Sequence, residues 1–194
     1  MIKDKITPQL REKFLEEIKK SKETGKERGF YLCIEKDGKL SDGDVCNGDE
    51  CHIRSKEPAL SCPGRKVQGD FHTHPYLAEA RKQSNFTMSE LSDEQLIPEI
   101  ISSSEEGFIP TMPSHQDVLL ATVLKCAKKT DGTVCIGSDL DTDKVECWTI
   151  NKVGNWDCIK ALKEKLFSTE KHDPPHEWIR PHFDIEMIDL KNTK

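Results

Sequence analysis

The sequence predicts an α/β (α+β) domain in which a central sheet is flanked by helices. Apolar residues recur at helical spacing in three separate stretches, and β-branched or aromatic runs of strand length lie between them. The length, 194 residues, gives room for one domain of ordinary size. Apolar residues make up 35% of the chain and charged ones 33%, so the core must come from clustered positions with solvated segments around them.

From Thr7 to about Lys20, the residues Leu10, Phe14, Leu15 and Ile18 share one helix face. Thr7 followed by Pro8 supplies an N-cap and a proline where its missing N–H is harmless. Gly29 to Ile34 is a short run of strand formers and reads as a buried strand. Asp37-Gly38 is a hairpin signal, yet Ser41 to Glu50 is dominated by Asp and Gly and reads as a loop with little core. Lys66 to Phe71 resumes a strand that runs into His72-Thr73-His74 and stops at Pro75.

Tyr76 to Pro113 is a long polar stretch with helical character over Met88 to Ile101, capped by Thr87 or Ser89 and interrupted at Pro98. A stretch this long is usually functional or an insertion. Ser114 to about Lys129 is the next helix, with Val118, Leu119, Val123 and Leu124 on its apolar side and Asp131-Gly132 closing it. Thr133 to Ile136 and Val145 to Ile150 follow as strands, and Trp156 to Phe167 as a further helix. The tail from Lys171, with Pro174, Pro175 and Pro181, reads as an extended segment laid over the domain.

Lys and Arg number 29 against 35 Asp and Glu, a formal charge of -6 that repels nucleic acid phosphates and anionic lipid. Neither nucleic acid nor membrane is therefore expected as a partner. No stretch approaches the roughly 18 apolar residues of a membrane span, and Met1 to Leu10 carries charge where a signal peptide is apolar, so a cytoplasmic protein is expected.

The chemistry gathers at the second strand. His72 and His74 are one residue apart, and side chains on a strand alternate, so both imidazoles reach one side and can meet one metal ion. Asp117 lies near the start of the following helix, where it could turn toward the strand end as a third ligand. Two imidazoles and one carboxylate with an open position make up the donor set of a hydrolytic zinc site. Ser114 reads either as the N-cap of its helix or as a hydrogen-bond donor to a developing oxyanion.

The string Gly69-Asp70-Phe71-His72-Thr73-His74-Pro75, followed by Ser114-His115-Gln116-Asp117, resembles the signature of the JAMM metalloproteases, the catalytic MPN (JAB1/MPN/Mov34) family. The resemblance spans roughly residues 7 to 150 and includes archaeal and bacterial deubiquitinase-like members. It implies an MPN/cytidine-deaminase-like fold with a central mixed sheet. It also implies that His72, His74 and Asp117 hold a catalytic zinc, that Ser114 steadies the tetrahedral intermediate, and that a glutamate before the first core strand is general base. Glu27 matches that glutamate best, one residue closer to Gly29 than the usual spacing, with Glu35 at the far end of the same strand as the other candidate.

The activity so implied is hydrolysis of an amide bond at the C-terminus of a ubiquitin-like modifier by zinc-activated water, as isopeptidase or peptidase. The partner would be that modifier or its conjugates. Two alternatives stand beside it: a non-catalytic MPN-type scaffold, and a zinc amidohydrolase acting on a small molecule or sulfur-carrier substrate. Residues 1–170 would form the domain, with 76–113 an inserted helical lid far longer than the family's usual spacer, and 171–194 the tail.

Eight cysteines remain to be placed. Cys46, Cys51 and Cys62, with His52, lie in a loop too polar to pack alone, which a second, structural zinc or disulfides could hold, free thiols being the default. Cys135 and Cys147 fall in neighbouring strands where they could face each other, and otherwise read as small core residues.

Overall fold

A computed structural model describes residues 1–47, 58–83, 91–104, 109–151 and 180–191. The first helix, α1, runs over Pro8–Thr24; Thr7 Oγ1 accepts the Leu10 amide at 3.1 Å, and Gly25 ends the helix in the left-handed conformation, φ 64°. Strand β1, Arg28–Ile34, turns through Asp37-Gly38 into β2, Leu40–Asn47. The short helix α2, Pro58–Ser61, precedes β3, Lys66–His74. Two helices follow, α3 over Tyr76–Gln83 and α4 over Asp93–Ser103, then α5, His115–Cys126. Strands β4, Thr133–Ser138, and β5, Lys144–Ile150, are joined by a turn, and a 3₁₀ turn at Arg180–His182 leads into β6, Phe183–Asp189.

These strands form one six-stranded mixed sheet in the order β2-β1-β3-β4-β5-β6. Neighbours are antiparallel except β3 and β4, which run parallel with His72 beside Ile136 and His74 beside Ser138. On one face Leu10, Phe14 and Ile18 of α1 pack against Phe30, Leu32, Phe71, Cys135 and Val145. Gly137 admits this approach, since a Cβ there would sit 2.7 Å from the Ile18 side chain. On the other face Val118 and Ala121 of α5 pack against Val134, Ile136, Trp148 and Ile150. The sheet is thus a central layer with helices on both sides, as helix and strand periodicity require.

Two expectations are corrected. The segment after Leu40 is a strand, not a loop: β2 is an edge strand, and an edge can carry Asp42, Gly43 and Asp44 because its outer side faces water. The tail does more than lie over the domain, because β6 extends the sheet by pairing Phe183 with Ile150 and Ile188 with Val145, and it buries Phe183 and Ile188. The helix expected from Met88 begins at Asp93; Ser92 N–H donates to Gln95 Oε1 at 3.0 Å, a cap nearer the apolar run than Thr87 or Ser89. Leu77 of α3 and Leu96 of α4 pack with Leu140, which follows β4, in a small apolar cluster separate from the two faces of the sheet. The helix expected over Trp156 to Phe167 lies outside the described residues, as do Cys51, His52, Thr87 and Ser89.

Among the described residues there are two disulfides, one joining β4 to β5 and one joining β1 to the segment after α2. Cys135 and Cys147 are direct cross-strand partners and are bonded, so they are more than small core residues. Cys62 is bonded to Cys33 of β1, which takes its sulfur out of any metal site shared with Cys46, itself a buried free thiol. The pairing follows from β1 and the α2 segment packing together around Tyr31, Cys33, Cys62 and Val67. Such cross-links are uncommon in mesophilic reducing cytosol. Among the described residues no helix is long and apolar enough to cross a membrane.

Candidate metal centre

The side chains of β3 alternate, so Asp70, His72 and His74 project toward the α5 face while Phe71 and Thr73 project toward α1. Helix α5 starts above the end of this strand and brings Asp117 down to it. Its Oδ1 lies 3.1 Å from His72 Nε2 and its Oδ2 3.6 Å from His74 Nε2. One donor atom from each of the three residues falls within 4.8 Å of the others, an arrangement that can hold a metal ion.

Each imidazole is oriented through its other nitrogen. His72 Nδ1 is 3.0 Å from Asp70 Oδ2, and His74 Nδ1 is 3.0 Å from the Tyr76 hydroxyl. With the Nδ1 positions so engaged, both Nε2 atoms are presented to the same point, which is how protein frameworks fix the tautomer of a ligating histidine. Tyr76 is held in turn by Asp139, whose carboxylate accepts the Leu77 amide at 3.0 Å and the Ala78 amide at 3.2 Å, capping α3. Burial pushes the Asp139 carboxyl up to about 6 against those amides.

Ser114 caps α5, and the cap builds the site. Its Oγ accepts the Asp117 amide at 3.3 Å, and Asp117 Oδ2 accepts the Ser114 amide at 2.6 Å. The Asp117 carboxylate is thereby fixed from behind while facing the histidines. Ser114 Oγ–H remains a donor at the exposed rim.

Glu27 precedes β1 and is 9% exposed. Gly29 pairs with His72 and the Arg28 amide donates to Thr73 Oγ1 at 3.0 Å, so Glu27 lies just outside the last β1–β3 pair, and its carboxylate is near enough to the Tyr76 phenol to help raise it. The peptide groups on either side of Glu27 belong to one hydrogen-bonded circuit: Thr73 Oγ1 donates to Ser21 Oγ at 2.7 Å, and Ser21 Oγ donates to the Lys26 carbonyl at 2.9 Å. The middle residue of His72-Thr73-His74 therefore anchors Glu27 while its neighbours face the metal position. Thr73→Val, which keeps the volume and loses the hydroxyl, is expected to lower stability by about 1–3 kcal/mol, with Thr73→Ser recovering most of it. Urea denaturation of the two variants measures this, and an unchanged midpoint for Thr73→Val would remove the circuit.

Glu35 is excluded from this site. It lies just past Ile34, which pairs with Lys66 at the start of β3, roughly 20 Å from His72 at the usual rise per strand residue. Its carboxylate is occupied by Arg65 at 2.6 Å and by the Ser41 hydroxyl.

The charges are strongly coupled. Burial pulls His72 down, but Asp117 and Asp70 outweigh it and hold its pKa well above the ordinary value. Burial and the neighbouring His72 charge lower His74 despite its bond to Asp117. Asp117 is raised by burial, yet the two histidines carry it well below the usual carboxylate range. Burial, reinforced by the Asp117, Glu79 and Glu27 carboxylates, raises the Tyr76 phenol, which stays a neutral hydroxyl.

The structure brings together His72, His74, Asp117 and Ser114, and leaves Glu27 buried one residue before β1, outside the group of three whose donor atoms lie within 4.8 Å of one another. Sequence reasoning missed Asp70, Thr73, Tyr76 and Asp139. Strand alternation was a usable signal for Asp70, two residues from His72, whereas nothing local marks Asp139. No protein-family model matches this chain, and no curated protein matches it.

Proposed function

We propose that this protein is a zinc-dependent isopeptidase or peptidase that hydrolyses an amide bond at the C-terminus of a ubiquitin-like modifier, on an MPN-like fold. One observation carries the reading: two imidazole Nε2 atoms and a helix-capping carboxylate converge at the end of β3, and the neighbouring strand β1 is preceded by a buried glutamate. The chain order supports it, with a helix, a glutamate, a strand, the His-x-His strand, a helix opened by Ser-x-x-Asp and then further strands.

His72, His74 and Asp117 would hold the ion, and two nitrogens with one carboxylate suit zinc. When bound, zinc supplies Lewis acidity toward an amide carbonyl and makes water a better acid near neutral pH. Asp70 and Tyr76 keep the two imidazoles turned inward. The Glu27 carboxylate takes a proton from the attacking water and returns it to the leaving amine nitrogen. The Ser114 Oγ–H donates toward the oxygen that gains charge as the carbonyl carbon becomes tetrahedral. If the leaving amine is a lysine Nζ the cleavage is isopeptidase action, and if it is an α-amine it is peptidase action.

The test is metal content per chain together with cleavage of a ubiquitin-like protein joined through its C-terminus to a fluorescent lysine peptide. Wild type is expected to hold one zinc and to cleave, to lose cleavage on chelation and to regain it with zinc. The His72→Ala, His74→Ala double variant is expected to hold none and to be inert. No zinc uptake by the wild type on titration would overturn the reading.

A further inference from the structure

Both imidazoles of the candidate centre come from β3, yet their supports differ in kind. His72 lies where β3 is flanked on both sides, by Gly29 of β1 and Ile136 of β4. Its Nδ1 partner Asp70, at 3.0 Å, rides on the same strand and is likewise flanked on both sides, by Tyr31 and Val134. Ring and partner therefore share the middle of the sheet. His74 is the last residue of β3, and among the described residues its sheet neighbour is Ser138 of β4, on one side alone. Its Nδ1 partner Tyr76, also at 3.0 Å, lies outside the sheet as the first residue of α3.

Helix α3 is fastened to the chain just past β4. The Asp139 carboxylate accepts the Leu77 amide at 3.0 Å and the Ala78 amide at 3.2 Å, and Leu77 packs with Leu140 and with Leu96 of α4. The Asp139 amide donates to the His74 carbonyl at 3.4 Å. His74 is thus joined to α3 through space by two routes, its backbone through Asp139 and its ring through Tyr76.

The supports also differ in charge. When Nε2 of a neutral imidazole faces an ion, the ring proton sits on Nδ1. His72 then donates it to a carboxylate and His74 to a phenol oxygen. A hydrogen bond to an ionised acceptor is roughly twice as strong as one between neutral groups, and it makes the ring a better ligand.

From this asymmetry we infer that the two histidines have separate tasks toward the ion. His72 anchors it to the sheet, with Asp70 the positioning residue that sets how tightly it is held. His74 couples it to α3 through Tyr76, so an occupied centre steadies the start of α3, and displacement of α3 loosens the ion by the same factor. The inference rests on the metal reading above and does not need amide cleavage.

The test measures zinc affinity by competition with a chromophoric chelator, and amide hydrogen exchange with and without zinc, on the full chain and on two near-isosteric variants. Asp70→Asn keeps an acceptor oxygen and loses the charge. It is expected to weaken zinc binding about 10–100-fold, while zinc still slows exchange at Leu77 and Ala78. Tyr76→Phe keeps the ring and loses the hydroxyl. It is expected to weaken zinc binding about fivefold and to abolish that slowing, which in the wild type is about fivefold as well. The exchange measurement on the wild type stands whether or not a variant folds. Equal loss of affinity in the two variants, or wild-type exchange at Leu77 and Ala78 that is indifferent to zinc, would overturn the assignment.

Failure of this assignment and failure of the hydrolase reading look different. Wild type that shows the asymmetry but cleaves no ubiquitin-like conjugate keeps the separate tasks and removes the isopeptidase. Zinc-dependent cleavage with equal losses in both variants does the reverse.

Discussion

Glu27→Gln is expected to leave zinc bound and to lower kcat by about 10²–10⁴-fold, the range that a positioned proton-transfer group contributes. The glutamine is isosteric and fits the same buried place before β1, so the Thr73 circuit and the His72, His74 and Asp117 group are untouched. What is lost is an oxygen able to take a proton from water and return it to the amine. Glu35→Gln serves as the comparison, since Glu35 is tied to Arg65 and Ser41 at the opposite end of β1 and its loss should leave kcat unchanged. Metal analysis and steady-state kinetics on both variants check this. Full activity in Glu27→Gln would take proton transfer away from this residue.

The second large effect is on metal affinity as a function of pH. In the metal-free chain Asp117 and Asp70 hold His72 protonated well above its ordinary pKa, whereas His74 is shifted down and Asp117 is ionised. An ion entering the site must therefore displace one proton, from His72. Below the raised pKa of His72, affinity should gain about tenfold per pH unit as pH rises, and the gain should stop above that pKa. Calorimetric titration in buffers of different ionisation enthalpy counts the proton, and a value near zero at pH 7 would contradict the coupling.

Stability follows the same linkage. The contribution of the His72–Asp117 pair is fully present below the unfolded histidine value of 6.5 and is lost as pH rises through the raised folded value. His74 acts oppositely, its contribution being present above 6.5 and lost as pH falls through its lowered value. The metal-free protein should thus lose thermal stability on the alkaline side.

What could be read from the chain depended on how local the determining contacts are. Helix α1 announces itself through Thr7, Pro8 and the Leu10, Phe14, Ile18 face, because cap and face are both near in sequence. The three residues that could hold a metal ion were legible for a similar reason: two lie on one strand at alternating positions, and the third sits one turn inside a capped helix. Strand β2 was hidden because its polar composition is tolerated only at a sheet edge, and being an edge is a property of the whole fold. Strand β6 was hidden because its partner β5 lies across residues 152–179 in sequence. Cysteine spacing could not select Cys33 for Cys62, since pairing depends on which strands meet. The role of Thr73 depends on contacts far away in sequence, since its hydroxyl accepts the Arg28 amide and donates to Ser21 of α1.

The parallel pairing of β3 with β4 also bears on how quickly the protein can assemble. Hairpins such as β1–β2 close over a few residues, but β3 cannot register with β4 until the whole chain from Pro75 to Gly132 has folded back. Loop-closure entropy is spent before that contact repays it, so the β3–β4 junction is the natural place for the kinetic bottleneck. His72 and His74 lie on one side of that closure and Asp117 within it. The centre is then among the last features to form on the folding route, and a zinc ion present during refolding would slow unfolding more than it speeds folding.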